Sequence, residues 1–203
     1  MTSVTVVGPG AIGCAVAGAL LDRDDIDLTL AGPTPFERLR VEGIDPTVDR
    51  PVRFAADPAD LAGPAHAVVL ANKTHQTVAS APRLDVLCGR YTDVAEHQNG
   101  IGHHGLVDPL VGPATVVPTI VFLPADRLGP GHVTVGLPAA LRVPDDRGGR
   151  RVVDLFAGTW IDVHADHDFH TTAWSKLVSN CAVGAVTTLT RTPNRVLRDP
   201  EAR

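Results

Sequence analysis

The alternation of hydrophobic and polar positions near the N-terminus predicts a strand, a helix and a second strand. Residues 4–7 form a β-branched run that ends abruptly at Gly8, and residues 26–30 alternate apolar and polar side chains up to Gly32. Between them, residues 11–21 are rich in alanine and leucine and contain no proline, which is typical of a helix. This order within about thirty residues indicates a β-α-β unit with a right-handed crossover.

Further strand-like segments follow in the middle of the chain. Residues 67–71 are uniformly apolar, as expected for a central strand of a parallel sheet that is covered on both faces. Other strands are predicted at 52–54, 92–95, 115–123, 132–135 and 159–163. We also predict a short helix at 35–41 and a polar surface loop at 145–150. The pattern as a whole favours an α/β domain with a mostly parallel sheet.

The segment from Phe169 onwards has a different periodicity. Between His170 and Leu189 there is no proline, and the apolar residues are spaced three and four apart, as on one face of a helix. These apolar residues are Trp174, Leu177, Val178, Cys181, Ala185 and Leu189. We therefore predict a long helix that buries one face against the sheet domain and then leaves it. The domain boundary is placed after residue 168, with 169–203 as the start of a C-terminal helical domain.

A glycine motif occupies the turn between the first strand and the first helix. The pattern G-x-G-x-x-G is formed by Gly8, Pro9, Gly10, Ala11, Ile12 and Gly13. In this context Gly8 permits the sharp turn, Gly10 lets the backbone approach a pyrophosphate, and Gly13 lets the helix pack closely on the strand. The helix N-terminus adds free N–H groups for the anion. We predict a dinucleotide-binding, Rossmann-like, doubly wound domain at 1–168; a glycine turn without a ligand is the alternative.

The end of the second strand bears on the choice of cofactor. NAD-binding domains place an Asp or Glu there to accept a hydrogen bond from the ribose 2′-hydroxyl. This chain has Ala31, Gly32, Pro33 and Thr34 at that position. The missing carboxylate removes a repulsion against the 2′-phosphate of NADP, although Arg38 or Arg40 would have to reach back to bind it. NADP is favoured over NAD.

Lys176 and Asn180 are the polar pair of the predicted long helix. They lie four residues apart and so project from one face, among apolar neighbours. An amine in such a setting has its pKa lowered by desolvation and can act as an acid near neutral pH. The alternative is a lysine that extends its charge to solvent beside a surface asparagine.

Several segments together resemble one enzyme family. They are VVGPGAIG at 6–13, LANKTHQT at 70–77, QNGIG at 98–102, AWSKLVSNCAVGAVTTLT at 173–190 and TPN at 192–194. In this order and spacing the chain resembles the ketopantoate reductases (2-dehydropantoate 2-reductases). The resemblance covers the whole sequence but only about the first two thirds of the family's length. It implies an NADP-dependent oxidoreductase acting on CH–OH donors, which reduces 2-dehydropantoate to pantoate in pantothenate and coenzyme A biosynthesis.

The resemblance also implies roles for individual residues. Lys176 matches the proton donor to the ketone oxygen, and Asn180 and Asn194 match residues that hold the hydroxyl and carboxylate end of the substrate. Lys73 and Asn99 match residues that line the cofactor near the nicotinamide ribose, and Asn99 also touches the substrate. Such a constellation is chemically coherent, because an ammonium group stabilises and then protonates the oxygen that gains charge during hydride addition.

Two departures from the family pattern leave alternatives open. Gly184 stands where the family often has another substrate-binding Asn, so a related reductase with a different 2-oxo acid is one alternative. The family continues into a helical domain that contributes a Ser and a Glu to the site, whereas this sequence ends at Arg203. A dinucleotide-binding module with weak or no turnover is the second alternative. We expect self-association or homodimerisation through exposed apolar residues of this end, such as Leu189, Val196 and Leu197.

Composition and charge exclude several other classes. The chain has 203 residues and a net charge of −5 without a basic block, which argues against a nucleic-acid partner. No apolar stretch approaches the ~20 residues of a membrane span, and the N-terminus lacks the features of a signal peptide. Three scattered cysteines predict small buried residues in a cytoplasmic protein rather than disulfides. His164, His167 and His170 are expected in a solvated loop, with no bound metal.

Overall fold

The computed structural model describes residues 1–102 and 104–192 and contains thirteen strands and five α-helices within them. The strands are β1 (Thr2–Val7), β2 (Ile26–Ala31), β3 (Arg38–Glu42), β4 (Val48–Pro51), β5 (Arg53–Ala55), β6 (Ala67–Leu70), β7 (Asp93–Glu96), β8 (Thr115–Pro118), β9 (Ile120–Phe122), β10 (Ala125–Gly129), β11 (His132–Val135), β12 (Ala140–Pro144) and β13 (Asp162–Asp166). The helices are α1 (Ala11–Leu20), α2 (Ala81–Leu87), α3 (His104–Val111), α4 (Arg147–Leu155) and α5 (Phe169–Thr190).

The central sheet has six strands in the order β5-β2-β1-β6-β7-β8. Every neighbouring pair is parallel, so the carboxyl ends of all six strands lie along one edge. In chain order within the sheet this is 3-2-1-4-5-6, in which the direction of winding reverses between β1 and β6. Ligands of such sheets bind in the crevice outside the strand ends at this reversal. The glycine turn that follows β1 lies at that point.

Two apolar cores cover the two faces of the sheet, as expected for a doubly wound fold. Strand β6 divides its side chains between them, because successive residues of a strand point to opposite faces. Val69 belongs to the core that includes α1, whereas Val68 packs with Leu84 of α2 and Val107 of α3. The uniformly apolar sequence of this strand is explained by burial on both sides.

Two smaller sheets complete the fold. One has the order β10-β11-β3-β4 and packs on α1, and the other has the order β13-β12-β9. The helix predicted at 35–41 is wrong, because residues 38–42 form β3. In β3, Leu39 and Val41 are buried while Arg38 and Arg40 are exposed, which is the two-residue period of a strand covered on one face.

Two further differences from the sequence-based expectation concern segments between strands. Residues 115–123 form two strands in different sheets, β8 and β9, instead of one. Residues 147–150 of the polar segment are the start of α4 rather than a loop, and the side chain of Asp146 caps this helix by accepting a hydrogen bond from the N–H of Gly149 at 2.8 Å. A glycine pair normally signals a loop, but here the cap and the packing of the helix outweigh that preference.

The long helix α5 is confirmed, but its contact with the sheet domain is slight. None of its residues is fully buried, and its half-buried stripe is Phe169, Thr172, Ala173, Lys176, Leu177, Val183, Val186 and Thr187. Most of the apolar positions identified in the sequence do not face the sheet domain, since Trp174, Val178 and Leu189 are 47%, 65% and 85% exposed. The expected exposure of Leu189 is thus confirmed, while Val196 and Leu197 lie outside the described residues. Among the helices described, none combines the length and apolar character that crossing a bilayer requires.

Candidate active site

The three glycines of the turn after β1 differ in what surrounds them. Gly8 has a φ of +85°, and a Cβ there would lie 2.5 Å from the backbone N of Asn72. A Cβ on Gly13 would lie 2.5 Å from the carbonyl oxygen of Gly8. Gly10 differs from both, because its φ is −81° and no atom lies within 4 Å of a Cβ built there. Gly8 and Gly13 are therefore required for packing, whereas Gly10 leaves open space in front of the turn.

The N-terminus of α1 faces this open space, and no side chain of the described residues competes for it. No side chain caps the helix, and its first turn carries no acidic residue. The first N–H groups of a helix need acceptors and carry a partial positive charge, so they suit an anion. Cys14 lies in the next turn, is buried, and donates its thiol hydrogen to the carbonyl oxygen of Pro9 at 3.2 Å. Its pKa is raised to about 12 by burial, which fits a packing role rather than a nucleophile.

A buried cluster of amide and hydroxyl groups holds the loop after β6 against the end of β7. The amide nitrogen of Gln98 donates to Asn72 Oδ1 at 2.8 Å and contacts Thr77 Oγ1 at 2.9 Å, and Asn72 Nδ2 donates to Ser80 Oγ at 2.9 Å. All four side chains are buried. Because Asn72 also abuts Gly8, this polar cluster joins the segments 70–77 and 98–102 to the glycine turn.

Replacing Gln98 by leucine is expected to destabilise the protein by about 1–3 kcal/mol. The change leaves the buried side chains of Asn72 and Thr77 without their partner, which costs their full desolvation penalty. Gln76 is exposed in the same loop and serves as the matched control, since Gln76→Leu removes only one bond, from the N–H of Lys73 at 3.2 Å. Urea unfolding of both variants checks this, and equal losses of stability would contradict it.

Lys176 is held at the junction of α5 and the sheet domain. Its Nζ donates to Asn99 Oδ1 at 3.1 Å and to the carbonyl oxygen of Val121 at 2.5 Å, and lies 5.3 Å from the ring centre of Phe122. Burial lowers the pKa of this ammonium from its ordinary 10.5 to about 8. Phe122 of β9 is one of its apolar neighbours, whereas on the helix Trp174 is 47% exposed. The structure therefore brings together two residues predicted for the site, Lys176 and Asn99.

Two clefts meet at this lysine. Cleft A, of about 540 Å³, is lined by Ile12, His97, Asn99, Leu123, Lys176, Asn180, Gly184 and others. Cleft B, of about 410 Å³, is lined by Glu96, Gln98, Thr119, Trp174, Lys176, Asn180 and others. Cleft A extends from Lys176 to Ile12 of the glycine turn, so the glycine turn and the candidate acid face one continuous space. Asn180 lies one helical turn from Lys176 and is exposed to both clefts.

The structure shows no contact between Lys176 and the other described residues that were predicted for cofactor binding on the β6 loop and on β3. Lys73 is exposed on the loop after β6. The preceding residue, Asn72, lies against Gly8 of the glycine turn. Asn194 lies outside the described residues. Arg38 and Arg40, considered above for a 2′-phosphate, lie on β3 and are paired with carboxylates. Arg38 bonds Asp49 at 2.9 Å and Arg40 bonds Glu42 at 2.7 Å. Both guanidinium groups are thus paired with carboxylates of β3 and β4 and not with a group at the end of β2.

The three histidines of the segment 164–170 each have an individual partner. His164 pairs with Asp162, His167 with Asp145, and His170 accepts a hydrogen bond from the indole of Trp174. Within residues 1–102 and 104–192 no group of three or more metal-binding side chains converges. The prediction that all three cysteines are buried is confirmed for Cys14 but not for the other two, since Cys88 is only partly buried and Cys181 is exposed on α5.

One residue of cleft A was not identified from the sequence. His97 follows β7 directly, is only 4% exposed, and neither ring nitrogen has a hydrogen-bond partner among the described residues. A histidine at the end of a buried strand, just before the Gln98-Asn99-Gly100 turn, is the sequence signal that could have pointed to it. Periodicity alone does not separate it from an ordinary core histidine.

Comparison with known proteins identifies relatives along the whole chain. The family model "Ketopantoate reductase PanE/ApbA" matches residues 4–147. A 2-dehydropantoate 2-reductase from Caulobacter vibrioides is 38% identical over 100% of this chain and 69% of its own length. One from Mycobacterium tuberculosis is 38% identical over 90% of this chain and 62% of its own length. The chain thus spans about two thirds of the length of these relatives.

Solved structures agree with the fold. A dimeric ketopantoate reductase from Staphylococcus aureus superposes with a TM-score of 0.82 at 26% identity, over 98% of this chain and 67% of that one. A D-mandelate dehydrogenase solved with NADH and anilino(oxo)acetate superposes with a TM-score of 0.80 at 17% identity, over 94% of this chain and 65% of that one. The second likeness concerns the fold alone.

Proposed function

This chain belongs to the ketopantoate reductase family of oxidoreductases, and on that premise we propose that its protein reduces a 2-oxo acid with NADPH, 2-dehydropantoate to pantoate. One observation carries the proposal: the half-buried ammonium of Lys176 faces the same cleft as the glycine turn. A cofactor bound on that turn and a ketone beside that ammonium would lie in one space. Position and charge are what a protein contributes to such a reaction.

The described residues fit a dinucleotide on two counts. Gly10 leaves a space that any side chain would fill, and the uncapped N-terminus of α1 offers N–H groups to a pyrophosphate. In our proposal residues 8–13 hold the pyrophosphate, while Lys73 and Asn99 line the nicotinamide ribose. The bound cofactor supplies the hydride of the reaction.

Proton transfer is the part we assign to Lys176. Its Nζ carries the proton, and we propose that it donates this proton to the ketone oxygen as negative charge develops there. The product is the 2-hydroxy acid, and the lysine is left as a neutral amine that regains a proton from water. Asn99 holds the ammonium in place through the 3.1 Å hydrogen bond, and Asn180 and Asn194 are assigned to the substrate's hydroxyl and carboxylate.

The direct test is loss of NADPH absorbance in the presence of ketopantoate. We expect turnover with ketopantoate and none without it, using the whole protein that carries this sequence. Tight NADPH binding without turnover in that protein would instead support a dinucleotide-binding module. Failure to bind NADPH and NADH would contradict both hypotheses, the reductase and the dinucleotide-binding module.

NADP rather than NAD is the finer part of the proposal. It is supported by the end of β2, where Ala31 is followed by Gly32, Pro33 and Thr34, so that no carboxylate opposes a 2′-phosphate. Arg38 and Arg40 are paired with Asp49 and Glu42, so a 2′-phosphate would have to compete with these carboxylates for them. Calorimetric dissociation constants for NADPH and NADH decide the question, and an equal or stronger affinity for NADH would contradict it.

The rate should depend on the protonation state of Lys176. Its pKa is lowered from 10.5 to about 8, and only the protonated form can donate, so kcat/KM is expected to fall as the pH rises through about 8. The value of kcat/KM reports the free enzyme, to which this pKa applies. In a Lys176→Arg variant the guanidinium stays charged, so the falling limb should disappear even if the rate is lower. A wild-type profile that stays flat from pH 7 to 10 would refute this assignment.

A reductase for a different 2-oxo acid is the second candidate. Gly184 lines cleft A, and a Cβ built on it meets no atom within 4 Å. The cleft is therefore wider where the family often carries an Asn. A steady-state screen of 2-oxo acids with side chains of increasing size tests this. A higher kcat/KM for a bulkier acid than for ketopantoate would favour the second candidate.

Self-association is a further part of the proposal. Trp174, Val178 and Leu189 expose an apolar face along α5, and contiguous exposed apolar surface favours contact with other copies. The relative from Staphylococcus aureus is described as dimeric. Light scattering across a concentration series checks whether the mass exceeds that of one chain.

A further inference from the structure

Arg83 lies in the first turn of α2, and its side chain reaches the end of β5. Its Nη2 donates to the carbonyl oxygen of Ala56 at 2.5 Å, and Ala56 is the residue that follows β5. The side chain is half-buried, and its Nε is buried without a hydrogen-bond partner among the described residues. Nη1 also lacks a partner there, but it is not fully buried, so this nitrogen can meet a group that comes from solvent.

The charge of this guanidinium is not neutralised by the chain. No carboxylate among the described residues forms an ion pair with Arg83. The two acids that follow Ala56 are engaged with their own backbone. Asp57 Oδ1 accepts from the N–H of Ala59 at 2.9 Å, and Asp60 Oδ2 accepts from the N–H of Asp57 at 3.0 Å. An arginine stays protonated in proteins, and charges withdrawn from water are normally paired, so this half-buried cation suits an anionic ligand.

The end of β5 adjoins the end of β2, which is where a dinucleotide-binding domain holds the adenosine ribose. The two strands are neighbours, and the N–H of Gly32 donates to the carbonyl oxygen of Ala55 at 3.2 Å. A Cβ on Gly32 would lie 2.9 Å from Cδ of Pro9, so the end of β2 also touches the glycine turn. Arg83 therefore binds the residue directly after the one that bonds Gly32.

A 2′-phosphate on this ribose is the group that distinguishes NADP from NAD. Domains of this class accommodate it with an arginine near the end of the second strand. In this chain that position is Gly32, and Arg38 and Arg40 are paired with carboxylates. Arg83 brings a guanidinium to the neighbouring strand end from a later helix. The planar fork of N–H donors in a guanidinium matches the oxygens of a phosphate.

We propose that Arg83 binds the 2′-phosphate of NADPH and makes the protein prefer NADPH to NADH. The inference rests on the proposed binding of a dinucleotide at the glycine turn. The hydrogen bond to Ala56 holds the guanidinium at the strand end, and Nη1 is the donor that remains for the phosphate. Residues 8–13 are assigned to the pyrophosphate, which both cofactors share, so they do not make this distinction.

Calorimetric binding of NADPH and NADH to an Arg83→Met variant tests the proposal without relying on turnover. Methionine keeps an unbranched apolar stem but removes the charge and the donors. We expect the Kd for NADPH to rise roughly 10- to 100-fold, as for the loss of a hydrogen bond to a charged group, and the Kd for NADH to stay unchanged. Arg83→Lys, which keeps the charge, should retain part of the preference for NADPH.

Arg50→Met is the matched control. Arg50 also donates to a backbone carbonyl, that of Leu21 at 2.8 Å, but it is exposed and lies on β4. Its replacement should change neither Kd. Two adenosine fragments then locate the effect of Arg83→Met within the cofactor. Adenosine 2′,5′-bisphosphate should bind this variant more weakly than the wild type, whereas adenosine 5′-monophosphate should bind both equally.

Three results would count against the proposal. An equal loss of affinity for NADPH and NADH in Arg83→Met would overturn it, because Arg83 would then contact a part that both cofactors share. Equal affinities of the wild-type protein for NADPH and NADH would also overturn it, while dinucleotide binding itself would stand. If the whole protein binds neither cofactor, the proposed function fails and the inference fails with it.

Nitrogen-15 NMR of the wild-type protein decides the question if Arg83→Met does not fold. The Nε–H of Arg83 is buried, so its proton is protected from exchange with water. Its resonance, assigned with Arg83→Lys, should move on addition of adenosine 2′,5′-bisphosphate and much less with adenosine 5′-monophosphate. Equal movement with both fragments would show that the guanidinium does not sense the 2′-phosphate.

Discussion

Replacement of Lys176 by alanine is expected to lower kcat at least about 100-fold, the usual scale for a positioned general acid. The side chain is held by Asn99 and by the carbonyl oxygen of Val121, and no other described ammonium lines cleft A. Without it, negative charge on the ketone oxygen would have neither an electrostatic partner nor a proton source. Affinity for NADPH should change little, because the lysine is assigned to the substrate. Steady-state kinetics and calorimetry of the same variant measure the two effects.

The control for this variant is Thr171→Ala, an exposed position on the same helix. It should leave both kcat and the cofactor affinity near those of the wild type. A Lys176→Ala enzyme with near-normal kcat would return the lysine to the alternative, a side chain that merely extends its charge to solvent. A loss of NADPH binding in step with kcat would assign it to the cofactor instead.

Gly10→Val is expected to abolish NADPH binding, with a loss of affinity of at least about 100-fold, while the protein stays folded. The backbone of Gly10 has a φ of −81° that valine can adopt, and its Cβ meets no protein atom within 4 Å. The new side chain would occupy the space where the pyrophosphate must approach the N–H groups of α1. Calorimetry measures the affinity, and circular dichroism with thermal unfolding verifies the fold.

Gly129→Val is the matched control, since a Cβ at that position also meets open space but lies on β10. It should not change the affinity for NADPH. Gly8 is unsuitable for this purpose, because any Cβ there strikes Asn72 and would disturb the fold itself. Unchanged binding in Gly10→Val would mean that the glycine turn has only a structural role.

Much of the fold follows from local patterns that need no knowledge of distant residues. The β-α-β unit with its glycine turn, the uniformly apolar β6 and the long helix α5 are all read from periodicity, because side-chain spacing records which faces an element buries. The resemblance to the family rests on the same short segments. Lys176 and Asn99 were identified from sequence, and the structure places them within hydrogen-bonding distance.

Tertiary structure decided what each buried face packs against. The segment 38–42 is a strand because β11 and β4 lie on either side of it, although its own sequence is short and ambiguous. The pKa of Lys176 is lowered by burial, and that burial occurs at a junction formed with β9, a segment more than fifty residues earlier in the chain. Likewise, only the folded chain places the ring of His97 against Phe156, where neither ring nitrogen has a hydrogen-bond partner among the described residues. Periodicity along one element shows that a side chain is buried, whereas desolvation and hydrogen bonding depend on residues that only the folded chain brings near.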